Sequence, residues 1–288
     1  MSSEVTLEVV AVDDSPSVLA QFKQLVDEDT SLAASYIIRD TADNIEAEIS
    51  ADGSSLGVLS GAQSVTSTDE AITLTMAGAD ALLGSTTVAT DYEVVDDASA
   101  FLPTPNMATL MGAVSITVED ATVDQAMGLV ALQDMAGVDN LDFSIAGDES
   151  LSDLSLMQAT AAVEATNVVA GDVSVKDSAG MIVSAGYDMS GTTSIDLAAV
   201  QQVTVMTDPA ANEDLTTYPT LASVADVIEL NGPVTLTVDQ AGLTLTGPGS
   251  YSVFDTADAI EGAVTNDSAG VLADATSVTT TDVSPVLT

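Results

Sequence analysis

The stretch YIIRDTADNI at residues 36–45 decides the fold that this sequence predicts. It recurs at residues 251–260 as YSVFDTADAI, and both copies follow the pattern Tyr-x-x-x-Asp-Thr-Ala-Asp-x-Ile. Less complete copies begin at Tyr92 and Val173. An alternating extended run that ends on Asp, with an apolar residue five positions later, indicates one recurring unit with a buried face.

The Asp of this unit recurs along the whole chain. When the Asp or Asn after each extended run is taken as a marker, the steps between markers range from 23 to 31 residues. The markers are Asp13, Asp40, Asp69, Asp96, Asp120, Asp148, Asp177, Asp208, Asn231, Asp255 and Asp282. A unit of this length cannot bury its apolar face alone, so successive units must stack on one another.

We therefore expect a mainly β fold, namely a parallel β-solenoid of about ten coils of roughly 27 residues, with short helical turns at some corners. Apolar spacings of three and four predict helical segments at residues 18–27 and 154–165. Because composition shows no break along the chain, we expect one repeat domain over residues 1–288. A β-sandwich is the alternative, but its strands usually return about every 8–12 residues.

Composition limits the possible partners. The chain is 46% hydrophobic, so it can bury a core and is not a disordered acidic tail. Its net charge is −42, with 45 acidic residues against three basic ones, Lys23, Arg39 and Lys176. Nucleic acid and anionic membranes both require clustered basic residues, and no segment has the length of an apolar membrane span. We expect a setting rich in salt or divalent cations, which screens the self-repulsion.

The residue types present give little support to catalysis. The sequence contains neither Cys nor His, which excludes thiolate chemistry, imidazole bases and His-ligated metals. It has no glycine-rich nucleotide-binding motif. Adjacent acidic residues such as Asp96 and Asp97 could in principle hydrolyse glycosides, but 45 acids produce such pairs by chance. We expect no enzymatic activity and no catalytic residues.

The Tyr-x-x-x-Asp-Thr-Ala-x-x-Ile unit, followed by Val-Thr-x-Thr-Asp and a Leu-Thr-Leu-Thr segment, resembles repeats of very large secreted bacterial proteins of the surface-layer and adhesin types. The resemblance is best at residues 36–45 and 251–260 and weakest at about 120–230. It implies a location outside a bacterium or on its surface, and a structural or adhesive role. The chain lacks the Gly-Gly-x-Gly-x-Asp motif of the calcium-loaded members.

The recurring Asp residues are candidate calcium ligands. Calcium prefers hard oxygen ligands, and stacked turns would place carboxylates in a row about 4.8 Å apart. The candidates are Asp40, Asp69 and Asp96. The alternative is that each Asp hydrogen-bonds the backbone of its own turn. Apart from this possible Ca²⁺, no cofactor is expected.

The two ends of the sequence suggest self-assembly. Ser-Pro follows a marker at both ends, at Asp13 and Asp282, and neither end resembles a polar capping repeat. Unpaired strand edges invite another chain, and a contact that does not close gives a filament. We expect copies to join head to tail into an extracellular filament or surface layer. The expected contact residues are Val5, Leu7, Val9, Val278 and Thr280. The alternative function is an adhesin, a binding module or a spacer rod of a larger secreted protein.

Overall fold

The computed structural model describes residues 7–10, 36–102, 104–135, 138, 140–185, 195–265 and 269–282. Contacts between Cα atoms divide the chain into two compact units, Met1–Asp148 and Glu149–Thr288. A single repeat domain over residues 1–288 stays a prediction. The segment 18–27, predicted to be helical, lies outside the described residues.

The first unit alternates short strands with short helices. Its strands are β1 (Leu7–Val10), β2 (Tyr36–Asp40), β3 (Ala62–Ser67), β4 (Ile72–Leu74), β5 (Thr87–Val88), β6 (Tyr92–Asp97), β7 (Ser115–Ala121) and β8 (Leu141–Ile145). Its α-helices are α1 (Ala42–Glu46), α2 (Met76–Ser85), α3 (Ala98–Phe101), α4 (Met107–Gly112) and α5 (Val123–Gln133), with a 3₁₀ turn at Gly57–Gly61.

The second unit is built from the same kinds of element. Its strands are β9 (Ser174–Asp177), β10 (Gln202–Met206), β11 (Glu213–Asp214), β12 (Val227–Glu229), β13 (Val234–Leu236), β14 (Thr244–Thr246), β15 (Tyr251–Asp255) and β16 (Val278–Thr280). Its α-helices are α6 (Leu156–Ala162), α7 (Ala179–Ala185), α8 (Leu221–Val224), α9 (Val238–Ala241), α10 (Ala257–Thr265) and α11 (Ala269–Ala273). Two 3₁₀ turns lie at Ala170–Asp172 and Leu215–Thr217.

The described residues of each unit form two four-stranded parallel sheets. Sheet 1 has the order β1-β2-β3-β5 and sheet 2 the order β4-β6-β7-β8, while sheet 3 is β14-β12-β10-β9 and sheet 4 is β11-β13-β15-β16. Residues paired in register form buried rows, for example Leu74, Val94, Ile116 and Leu141 across sheet 2. Period-two alternation thus builds the core from Val, Ile and Leu, as parallel strands require.

The prediction of a mainly β solenoid of about ten coils is wrong. The structure is a mixed α/β fold, in which the described residues form four short parallel sheets and eleven α-helices. The physical reason is that the segment after the marker Asp begins a helix in many of the units. Partner residues also lie from 17 residues apart, as for Val234 and Tyr251, to 29, as for Leu7 and Tyr36, so the spacing is not uniform.

Helices begin where the sequence supplies an N-cap. Thr122 caps α5, Ser155 caps α6 and Thr237 caps α9, and each forms a capping box with the Gln three residues later. In each box the side-chain oxygen accepts the N–H of that Gln, and the Gln carbonyl accepts the N–H of the cap residue. The helix predicted at residues 154–165 is present as α6, although the capping box and not the apolar spacing fixes its start.

The recurring Tyr at the start of a strand anchors the segment that follows. Tyr36, Tyr92 and Tyr251 are all buried. The hydroxyl of Tyr92 donates to the Thr109 carbonyl at 2.6 Å, and that of Tyr251 donates to the Val271 carbonyl at 2.8 Å. The Tyr36 hydroxyl donates to Val58 in the same way. Burial raises the pKa of all three phenols, so the neutral donor persists well into alkaline solution.

Glycine next to this anchor is a steric requirement. A methyl group on Gly112 would collide with the Tyr92 hydroxyl, whereas one on Gly84 in α2 would meet nothing within 4 Å. We predict that Gly112→Ala lowers the free energy of unfolding by about 1–3 kcal/mol through overpacking. Gly84→Ala should raise it by about 0.5–1 kcal/mol, because Ala is the better helix former. Urea unfolding followed by circular dichroism measures both, and equal effects would contradict the steric argument.

Candidate functional site

Carboxylates of the marker Asp residues join each strand–helix step to the next strand. In at least five places among the described residues, the first N–H of a helix donates to an Asp that stands at the same register level, either on the neighbouring strand or two residues past its end. We call these acceptors the bridging aspartates, and they are Asp69, Asp96, Asp177, Asp255 and Asp282. Their donors are Ala42 at 2.9 Å, Met76 at 3.0 Å, Leu156 at 3.0 Å, Val238 at 2.9 Å and Ala257 at 2.7 Å.

Most bridging aspartates also accept the N–H of their own following residue. Asp96 Oδ1 accepts from Asp97 at 2.8 Å, while its Oδ2 accepts from Met76. Asp69, Asp177 and Asp255 make the same local bond, at 2.7 to 2.9 Å. Each carboxylate therefore satisfies a helix N–H that would otherwise lack a partner, and it places negative charge at the positive end of the helix.

The three predicted calcium ligands do not form one row. Asp40 is buried at the end of β2, where its Oδ1 accepts from the Thr41 N–H and the Asn44 amide. Asp69 follows β3 in sheet 1, whereas Asp96 belongs to β6 in sheet 2. Within the described ranges, no group of three or more acidic side chains is arranged to hold a metal ion. Calcium binding at these residues stays a prediction.

The N–H groups around Asp69 stabilise its ionised form. Hydrogen bonds from the N–H groups of Ala42 and Glu70, and from the Ser67 hydroxyl, hold the pKa of Asp69 below its usual value. A carboxylate whose folded pKa is depressed contributes stability above its unfolded pKa, and that stability is lost as the pH falls through the folded pKa.

We predict that Asp69→Asn destabilises the protein at neutral pH and that the difference from wild type shrinks as the pH falls below about 4. Neutral Asp and Asn both keep an acceptor oxygen, so only the charge is compared. Reduced self-repulsion at low pH affects both proteins alike and cancels. Thermal midpoints measured from pH 7 to pH 2.5 test this, and a constant difference over that range would refute the assignment.

A second variant isolates the bridge itself. Asp96→Ala removes the acceptor of two backbone N–H groups, and we predict a loss of about 1.5–3 kcal/mol in the free energy of unfolding. Asp142→Ala is the matched control, because Asp142 is an exposed Asp on β8 of the same sheet and should change stability by less than about 0.5 kcal/mol. The comparison of the two urea midpoints decides whether the bridge or the charge matters.

The predicted assembly residues lie on two outer strands. Leu7 and Val9 belong to β1, which pairs with β2 on one side of sheet 1, and Val5 lies outside the described residues. Val278 and Thr280 belong to β16, which pairs with β15. No described strand occupies the other side of β1 or of β16.

The backbone of β16 presents hydrogen-bonding groups on its outer side. The Val253 N–H donates to the Ser277 carbonyl, the Thr281 N–H donates to the Asp255 carbonyl, and Thr279 pairs with Phe254. Because alternate residues of a parallel strand bond to opposite neighbours, the N–H and C=O groups of Val278 and Thr280 face away from β15.

The apolar core is open at this edge. Leu236, Val253 and Val278 form one register row across sheet 4, and the first two are 0% exposed. Val278 is 42% exposed, although its position in the row is an inward one. The sequence predicts a strand edge at β16, but the exposed apolar end of the core row follows only from the three-dimensional packing.

No protein family model matches this chain, and no curated protein or solved structure is significantly similar to it. Among the described residues, no helix has both the length and the apolar character needed to cross a bilayer.

Proposed function

We propose that this protein is a structural, non-catalytic subunit that binds copies of itself head to tail and forms a filament or surface layer outside a bacterium. Strand β1 of one copy would add to the outer side of β16 of the next. The observation that carries the proposal is the half-exposed Val278, which ends a row of otherwise fully buried side chains. A strand added there would extend both the hydrogen-bond ladder and the core.

Neighbouring side chains support an unfinished core at this end. In the first motif copy Ile45, on α1, is fully buried, whereas the equivalent Ile260, on α10, is only half-buried. Val264 on the same helix is 57% exposed. Apolar surface left in water costs about 25 cal/mol per Å², so covering these side chains with a second copy would favour association.

The sequence of β16 lacks the usual protection of an edge strand. Natural edges are shielded by Lys, Pro, bulges or covering segments, whereas Val278-Thr279-Thr280 carries neither charge nor Pro. A second copy is the expected partner at this edge, because the sheets of this chain are themselves formed by parallel pairing of short strands. The chain has a net charge of −42, which opposes association, so assembly should strengthen as salt screens the repulsion between copies.

The test is negative-stain electron microscopy of the purified chain with EDTA, then with salt, then with salt and millimolar Ca²⁺. We predict fibres or sheets of uniform width that become longer as the salt concentration rises. Val278→Pro should remain folded but abolish them, because Pro removes an N–H that points outward. Thr279→Pro is the control for position, since it removes an N–H of the β15 ladder and should destabilise the fold.

Monodisperse particles under every condition would refute self-assembly and favour a binding module or spacer. Fibres that Val278→Pro leaves unchanged would place the contact elsewhere. Fibres that require Ca²⁺ and do not form with salt alone would show that cations act by binding rather than by screening.

A further inference from the structure

A cleft of 690 Å³ lies in the second unit, where the chain leaves sheet 3 after β10 and β12. Its walls are formed by Ser178, Met206, Thr207, Asp208, Pro209, Ala211, Glu213 and Asn231. The proposed assembly edge at β16 contributes no residue to these walls, so an inference about the cleft is independent of self-assembly.

The cleft is present where a bridging aspartate is missing. Register pairs Asp177 with Val205, which puts Ala179, the first residue of α7, level with Thr207. Thr207 is buried and, as a threonine, carries no carboxylate that could reach the helix. Its hydroxyl donates to the Glu229 carbonyl and accepts from the Asn231 N–H. The marker Asp208 comes one residue later, and its Oδ1 accepts from the Ala210 N–H instead.

The walls of the cleft combine an apolar surface with oxygen acceptors. Met206, which is 44% exposed, lines the cleft together with Pro209 and Ala211. The carboxylates of Asp208 and Glu213 lie beside them, and Glu213 Oε2 accepts from the Asp208 N–H at 3.0 Å. Each carboxylate has a second oxygen that can accept a hydrogen bond from a ligand.

The Asn231 amide also contributes an acceptor. Its Nδ2 donates to the Thr207 carbonyl at 3.2 Å, which fixes the side chain, and its Oδ1 can accept a hydrogen bond. Among the described residues that form the walls, none is basic. The nearby Lys176 pairs with Glu229 at 2.6 Å, and this bond raises the pKa of Lys176 and lowers that of Glu229.

We propose that this cleft binds an alkylammonium group. The carboxylates of Asp208 and Glu213 and the Asn231 carbonyl supply three acceptors for the three N–H donors of an ammonium, and Met206 and Pro209 supply an apolar surface for the alkyl chain. The size and the apolar wall favour an organic cation over a bare metal ion, which needs several oxygen ligands at fixed short distances. Such a group occurs both in free polyamines and in the Lys side chains of a partner protein.

The experiment is a titration of protein carrying ¹³C-methyl methionine with n-butylammonium, at about 0.15 M salt, where the Debye length is about 8 Å. The protein is kept at a concentration at which it sediments as one species. We expect the Met206 methyl signal to shift and saturate, while Met111 and Met135 of the first unit stay unchanged. The uncharged n-butanol should shift Met206 at least tenfold less at equal concentration.

Paired variants separate the site from the general negative charge. Asp208→Asn with Glu213→Gln should weaken binding at least tenfold, whereas Glu261→Gln with Asp274→Asn removes the same charge from exposed positions and should leave it unchanged. Spermidine and the peptide acetyl-Gly-Lys-Gly-amide distinguish the two sources of the ammonium group, and tighter binding of either supports the proposal.

Three results would overturn the proposal. Equal shifts of Met206, Met111 and Met135 would show only a diffuse cation atmosphere. Equal shifts with n-butanol would show apolar contact without ammonium recognition. Saturation by Ca²⁺ at lower concentration, with displacement of n-butylammonium, would assign the cleft to a metal ion.

Discussion

The hydrogen bond from the first N–H of a helix to a carboxylate on the neighbouring strand is the interaction on which the rest of this structure depends. Helix starts leave N–H groups without intrahelical partners, and a short helix such as α1 has few other bonds to hold it. Where an Asp stands at the matching level, it fixes the helix start and the strand register together. One side chain thereby connects local structure to sheet order.

This use of Asp also explains how a chain with 45 acidic and three basic residues can fold. Ion pairs cannot neutralise such a surface, so much of the compensation must come from backbone N–H groups and helix ends, which carry partial positive charge. At Asp69, hydrogen bonds from the N–H groups of Ala42 and Glu70 lower the pKa of the carboxyl, and the bond from Ala42 has the larger effect. The carboxylates are therefore most useful at strand ends, where an N–H of the next helix is within reach.

Part of this fold could be predicted from the sequence. The bridging aspartates are all markers of the sequence pattern, namely Asp69, Asp96, Asp177, Asp255 and Asp282. The alternative to calcium binding, in which each Asp hydrogen-bonds the backbone of its own turn, is close to the role that they have. The apolar pattern does not distinguish a helix from a second extended run after the Asp, because Ile45 is apolar and inward-facing in either case. The Thr-x-x-Gln and Ser-x-x-Gln capping boxes were present in the sequence and would have indicated three of the helix starts.

Other features depend on offsets of one residue that no periodic pattern contains. Asp120 fits the marker series, but it adopts a φ of 52° where the pairing of β7 with β8 is irregular. Asp208 fits the marker series equally well, yet Thr207 occupies the level at which a bridge would form, and a cleft results. Such a shift changes which residue faces the neighbouring helix, and only the register of paired strands reveals it.

The β16 edge shows how the same interaction bears on association. Its outer side carries N–H and C=O groups beside Val278, the exposed end of an otherwise buried apolar row, and Asp282 follows two residues after the strand. That carboxylate accepts from the Ala257 N–H at 2.7 Å, so part of its charge is already compensated within the chain. Long-range repulsion from the other acids falls within a Debye length of about 8 Å at physiological salt. Short-range strand pairing at this edge is therefore opposed by less charge than the total of −42 suggests.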